Sequence, residues 1–394
     1  MSVTLAPARL RMSHGWGFRV VAAAFATALA FSTVPTPLYP LYQQRDGFPT
    51  FLVTVVFAAY AVGVMLSLYL AGHVSDWLGR RRVLVAGLLA EALAAALFLL
   101  WPAVPGLIVA RLVSGAGIGV ITATATAHLS ELRTQARPGL AATVVNAGGL
   151  ALGPLAGGLF ARFADQPLHT PFAVFLVVLL GEAVAVSLVP ETVEGREERP
   201  AYRPALAGPL PAAARSGFAG AAIGAFAAFA LSGLFMALAP TLLAHELHEP
   251  SRLLAGLAPF TMLGSAALAQ VGLARLRTRS QLRAGYALMG AGLVLLAFAG
   301  SLPLFFVASA LAGAGFGLGL RAAVGTVAAL ADDLTRGEVL AALFLAAYAG
   351  LVLPVLLIGL AMLVAPGSVV LAGFAVLELG LLGWSARRTL GSRG

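Results

Sequence analysis

Long apolar runs separated by short polar breaks dominate the chain. Twelve can be marked, near residues 17–40, 50–71, 83–101, 105–128, 139–162, 170–190, 217–243, 252–274, 284–301, 303–328, 338–364 and 367–386. Each holds roughly 20 residues, the length an α-helix needs to cross a hydrocarbon layer ~30 Å thick. A membrane β-barrel would instead show short segments of alternating polarity. The pattern predicts an all-α integral membrane protein with twelve transmembrane helices.

One polar stretch is long. Residues 191–216, "ETVEGREERPAYRPALAGPLPAAARS", are charged at first and then rich in Pro and Ala, and read as a linker. It divides the chain into 1–190 and 217–394, six predicted helices on each side. The halves resemble each other at an offset near 200: Gly17, Phe18, Ser32 and Pro40 match Gly217, Phe218, Ser232 and Pro240, and Pro154 matches Pro354. With a two-residue gap, "GAGIG" at 115–119 matches "GAGFG" at 313–317. Two similar six-helix bundles are the plan of a transporter that rocks about a binding site near mid-membrane.

Composition sharpens this. Hydrophobic residues make up 60% and charged residues 10%, with a mean hydropathy of +0.94. A soluble domain carries about 25% charged residues, so this chain could not cover a soluble surface. Cysteine is absent, which excludes disulfides and thiolate metal sites. The first 16 residues are short and basic, and the first apolar run is too long for a signal peptide core.

The net charge of +9 does not point to nucleic acid, because the placement of the 25 basic residues, all Arg, explains it. With the N-terminus in the cytoplasm, Arg45, Arg162 and Arg252 lie outside; Arg19, Arg111 and Arg321 lie within or at the ends of helices; the other nineteen lie inside. That bias follows the positive-inside rule and puts both termini in the cytoplasm of a multi-pass inner-membrane or plasma-membrane protein.

Several motifs carry chemistry. "AGHVSDWLGRRR" at 71–82 joins the second and third spans; Gly72 and Gly79 allow a tight reversal, and Asp76 can accept from helix amides or pair with Arg80 or Arg81. "RLVSGAGIG" at 111–119 places Arg111 about 10 Å inside the fourth span, by helix rise. "GLALGPLAGG" at 149–158 repeats Gly149, Gly153 and Gly157 every four residues, a groove for a neighbouring helix, and Pro154 permits a bend beside Gly158.

Taken together these resemble the major facilitator superfamily, over nearly the whole chain. The 72–81 pattern is similar to that family's signature loop, which implies a cytoplasmic latch of Gly72, Asp76, Gly79, Arg80 and Arg81 between the halves. Trp77 departs from the pattern where a basic residue is common, and the repeat copy near 272–283 lacks the Asp, which makes the latch one-sided. The 149–158 motif resembles that of the proton-coupled drug antiporter branch and implies a hinge. "PTPLYP" at 35–40 and "VPET" at 189–192 are further likenesses to its twelve-helix members.

Ionisable groups inside a membrane are costly and are candidates for function. Glu91, Glu182 and Glu378 stand near the middle of their spans, and a carboxyl there without a counter-charge is mostly neutral and can carry a proton. The resemblance places the fourth span beside the substrate path, so Arg111 and Glu91, on adjacent spans, are the candidates for proton coupling. Glu182 and Glu378, on outer spans, are read as structural. The candidate cavity lining is neutral apart from Arg111: Thr27, Ser32, Thr33, Ser114, Thr122, Thr126, Asn146, Ser232, Met236, Ser309 and Tyr348. It suits a neutral or weakly anionic amphiphile, although each small hydroxyl can equally bond its own helix backbone.

The reading is therefore an exporter of a small organic molecule in exchange for protons, a monomer in the lipid bilayer, with no cofactor, no metal and no nucleic-acid partner. The rival on the same fold is a facilitator or importer of sugars or other metabolites. An enzyme needs clustered catalytic groups, and the six histidines scatter over loops and helix ends. "GAGIG" and "GAGFG" lie in apolar helices rather than βαβ units, and "HELHE" at 245–249 spaces its histidines by three rather than four, so neither a dinucleotide nor a metal site is expected.

Overall fold

The computed structural model describes residues 12–71, 74–132, 138–193, 212–245, 247–331 and 336–391. Among these, helix is the only regular structure. Twelve long helices follow in order: α1 (His14–Thr33), α2 (Thr50–Ala71), α3 (Arg80–Leu100), α4 (Val104–Leu132), α5 (Pro138–Phe163), α6 (Thr170–Ser187), α7 (Ala212–His245), α8 (Arg252–Gly272), α9 (Thr278–Ala297), α10 (Leu302–Leu330), α11 (Arg336–Ala361) and α12 (Gly367–Gly391). Eleven are long and apolar enough to cross a membrane; the other is α9, which carries Arg279 and Arg283 in its first turns. Most of the predicted linker, 194–211, and Gly72 lie outside the described residues.

The span expected at 17–40 is broken. The α1 helix ends at Thr33, a 3-10 turn occupies Thr36–Leu38, and a short helix runs Tyr39–Asp46. The cause is Pro35, Pro37 and Pro40, which lack the N–H that a continuous helix needs. Gly47, at φ 69°, then ends the short helix in the left-handed conformation that suits glycine.

The two halves pack alike through their glycines. In α4, Gly115 and Gly119 abut Tyr60, Val64 and Ser67 of α2, while Gly117 faces Gly87 and Glu91 of α3. In α10, Gly313 and Gly317 abut Met262 and Ala266 of α8, while Gly315 faces Gly285 and Met289 of α9. Alternate glycines thus receive two different neighbours, because a helix turns about 100° per residue. The same holds for Gly149 of α5 against Ala26 of α1, and Gly350 of α11 against Phe226 of α7.

The halves meet where α5 crosses α8 and α2 crosses α11. Gly158 of α5 stands against Gly256 of α8, and Gly359 of α11 against Thr54 of α2. Arg252 adds a bond from Nη1 to the Ala161 carbonyl, 3.3 Å. All of these contacts lie toward the end that carries the short helix Tyr39–Asp46. At that end residues 28–39 and 230–240 are all buried, so the centre of the bundle is sealed there.

Candidate functional site

The 74–82 loop is held by acids that come from elsewhere in the first half. Gly79 takes φ 97°, a conformation that favours glycine, and a Cβ there would strike the Glu191 carboxylate. Glu191 caps α3: its Oε1 accepts from the Arg80 N–H at 2.8 Å and its Oε2 from the Arg81 N–H at 3.2 Å. The Arg80 side chain fans over three partners. It donates to Ser75 Oγ at 2.7 Å, to Asp76 Oδ1 at 2.5 Å and to Glu131 Oε1 at 3.1 Å. Thr192 donates to the other Glu131 oxygen, Arg81 reaches the Val189 carbonyl at 3.3 Å, and His128 contacts the Pro190 carbonyl at 3.2 Å.

Of the two roles open to Asp76, the geometry shows the ion pair with Arg80; the amides of α3 go to Glu191. Asp76 is 59% exposed, so its pair contributes at most about 1 kcal/mol. All of these bonds lie within the first half and the two residues that open the linker after it. Replacing Glu191 by Ala removes the acceptor for two helix amides and is expected to cost about 1 kcal/mol, the usual size of an N-terminal cap. Thermal unfolding of the purified protein should show the loss, and Glu191→Gln should show a smaller one.

The second cluster is buried in the middle of the first half. Arg111 is 2% exposed; its Nη1 donates to the Ser32 carbonyl of α1 at 2.5 Å, and its guanidinium lies 4.3 Å from the centre of the Tyr60 ring of α2. Glu91 of α3 is fully buried and accepts from Ser114 of α4 at 2.9 Å. Among the described residues Glu91 and Arg111 form no direct ion pair. Ser114, which bonds Glu91, is three residues on from Arg111 in α4, and Tyr60 lies under the guanidinium. Gly117 makes room for the Glu91 carboxylate, where any side chain would collide with it. Tyr60 stands on α2, the helix that crosses α11 of the opposite half.

The α5 motif divides its work. Gly149 and Gly153 receive α1 and Gly157 the turn after it, at Val34 and Pro37, with Thr33 Oγ1 donating to the Leu150 carbonyl at 3.0 Å. Gly158 and the Pro154 carbonyl instead face Gly256 of the other half. Four small positions that look like one groove therefore serve one contact inside a half and one between halves.

The remaining candidates scatter. Ser32 and Ser309 are buried and donate to carbonyls of their own helices, Leu29 at 2.7 Å and Phe305 at 2.8 Å. Thr126 does the same to Thr122. Thr27 turns away from the fourth span and donates to Glu182 of α6 at 2.8 Å. Ser232 and Met236 are buried in α7, and Asn146 is half-buried on α5. Tyr348 packs edge-on against Phe229, which also meets Phe316.

Sequence reasoning passed over Glu131, Tyr60, Tyr39 and Gly256, and read Glu191 only as part of a helix-ending motif. The "VPET" and "PTPLYP" segments were the available signals for Glu191 and Tyr39. Gly256 has none, being a lone glycine whose importance comes from the helix laid across it.

Two half-bundles built alike, joined along α5–α8 and α2–α11 and holding buried ionisable groups, define a polytopic membrane transporter. Residues 20–354 match the Major Facilitator Superfamily, and the chain belongs to that family. It is 33% identical over 172 residues to puromycin resistance protein pur8 of Streptomyces alboniger, which covers 42% of this chain; the chain spans about a third of that relative's length, 34%. In fold it is similar to the human organic anion transporter MFSD10 (TETRAN), with a TM-score of 0.70 at 19% identity over 95% of this chain and 100% of that one. A bacterial homologue of the human lysosomal transporter Spinster, in an inward-facing and unoccupied conformation, gives 0.71 at 14% identity over 97% and 98%. The nucleoside transporter NupG gives 0.74 at 12% over 95% and 100%.

Proposed function

We propose that the protein exports a small organic molecule by alternating access in exchange for protons, as a monomer with both termini in the cytoplasm. The observation that carries this reading is a pair of buried ionisable groups on adjacent helices: Glu91, which accepts from Ser114, and Arg111, which donates to the Ser32 carbonyl and lies over the Tyr60 ring. A proton gained by Glu91 changes the net charge of a cluster that is bonded to α1 through the Ser32 carbonyl and packed on α2, the helix that crosses α11 of the other half. A ligand, here a proton, shifts a two-state balance only by binding one state better. A charge buried at a joint between moving parts supplies that difference.

Export rests on two supports: the 149–158 motif of the antiporter branch, and a relative named for drug resistance. The Arg distribution supports the orientation. In that orientation the sealed end is the outer one and the bundle is inward-facing. The bonds of Asp76 and Arg80 within one half then correspond to a released latch. Arg111 beside otherwise neutral hydroxyls favours a neutral or weakly anionic substrate.

The test is transport in proteoliposomes under an imposed pH gradient, with puromycin as the first compound and others taken from a thermal-shift screen. Accumulation should follow the gradient; transport indifferent to it removes the antiport reading. Glu91→Gln is expected to abolish the pH dependence, and a variant as pH-sensitive as the wild type removes Glu91 from the mechanism.

A further inference from the structure

Among the described residues, the buried polar atoms without a hydrogen-bond partner in the protein include the hydroxyls of Tyr42 and Tyr39, Nε of Arg111, and Oε1 of Glu91. Tyr42 and Tyr39 are one turn apart on the short helix Tyr39–Asp46, and both are buried. At the surface the Arg45 guanidinium lies 5.1 Å from the centre of the Tyr42 ring. It is held by Asp46 at 2.6 Å and by the Pro102 carbonyl at 2.5 Å. A cleft lined by Arg45, Asp46, Phe48 and Pro102 opens there. Further in, Arg111 lies beside the Tyr39 hydroxyl, and Glu91 is on the adjacent helix, bonded to Ser114 three residues on from Arg111. Arg111 is seven residues into α4 and Glu91 nine from the end of α3, so they sit about 10 and 14 Å below that end by helix rise.

Leaving a buried polar atom unbonded is costly, and Phe would fill positions 39 and 42 without that cost. Bridging water removes the cost where polar partners converge. We propose that Tyr42 and Tyr39, with water between them, relay protons from the Arg45 surface to Glu91, and that Arg111 orders the last water. The inference rests on the antiport reading. Each Tyr oxygen accepts one proton while its own passes inward, so one O–H bond forms for each that breaks. A hydronium at the mouth becomes water and the Glu91 carboxylate becomes a carboxylic acid. Arg111 has no acceptor and takes no proton; its Nε–H donates to the water that does.

The groups facing Glu91 are Ser114 and Arg111 from α4 and Tyr60 from α2. On α6, packed behind it, Glu182 is turned to Thr27, and on α1 the charged Arg19 and titratable His14 stand at the far end.

The experiment follows the infrared carboxyl band of Glu91, identified by its loss in Glu91→Gln, after transfer of the purified full chain into D2O. Tyr39→Phe and Tyr42→Phe should each slow the deuterium shift of that band by about tenfold, the effect of one lost relay bond on a barrier. Tyr286→Phe, a buried tyrosine of the second half, should leave it unchanged. The relay is overturned if both variants shift as fast as the wild type, or if no Glu91 band appears across the pH range. Wild-type transport separates the two ideas. Gradient-driven transport with unchanged exchange sinks the relay alone. Transport indifferent to pH sinks the antiport reading and the relay with it.

Discussion

A Gly158→Leu variant should lose transport by on the order of tenfold or more while remaining folded. Even a Cβ at Gly158 would come within 3.0 Å of the Gly256 Cα, and one at Gly256 within 2.8 Å of the Gly158 Cα. Neither backbone can yield by rotating a side chain. Overpacking of this kind costs about 1–3 kcal/mol. The folded halves tolerate it, because the clash lies between them and is relieved when they part. The balance between the two states does not, since about 1.4 kcal/mol already moves an equilibrium tenfold. The variant should rest open at the end carrying the short helix. The chain has no cysteine, so labels at Phe163→Cys and Pro250→Cys read that opening without background. An unchanged label distance, or transport at the wild-type rate, removes the crossing as a gate.

Arg111→Met should separate stability from function. The guanidinium is desolvated and bonded to one carbonyl, so its removal relieves a buried charge, and neutral replacements of buried ions are often harmless to stability. The unfolding temperature is expected to hold or rise. Gradient-driven transport should fall by on the order of a hundredfold, because Glu91 loses the neighbouring cation that gives its protonation a consequence. A protein that unfolds early shows Arg111 to be a structural bond. One that transports normally shows it to be neither that nor a coupling residue.

Much of the site was legible in residue type alone. A Glu or Arg inside an apolar run stands out because hydrocarbon offers it no partner, and Glu91 and Arg111 were found that way. Their relation was not legible. Spacing along two helices does not say which faces turn together, and it is Ser114 that Glu91 bonds and the Tyr60 ring that Arg111 lies over. The 71–82 loop shows the same limit from the other side. Its Gly, Asp and Arg were plain to see, yet the acid that caps α3 arrives from Glu191, more than a hundred residues away. Thr27 shows it too: a hydroxyl on a helix can turn to either neighbour, and this one turns to Glu182.

The chain by itself determined that the protein is helical and membrane-spanning, and that it is built from two related halves. Those features follow from local physics: the length of apolar runs, the cost of charge in lipid, and the backbone demands of Gly and Pro. The tertiary structure alone decided which glycines face a neighbour in their own half and which face the other half, and which carboxylates meet which amides. Such pairings depend on how helices rotate and cross, and many residues settle that jointly.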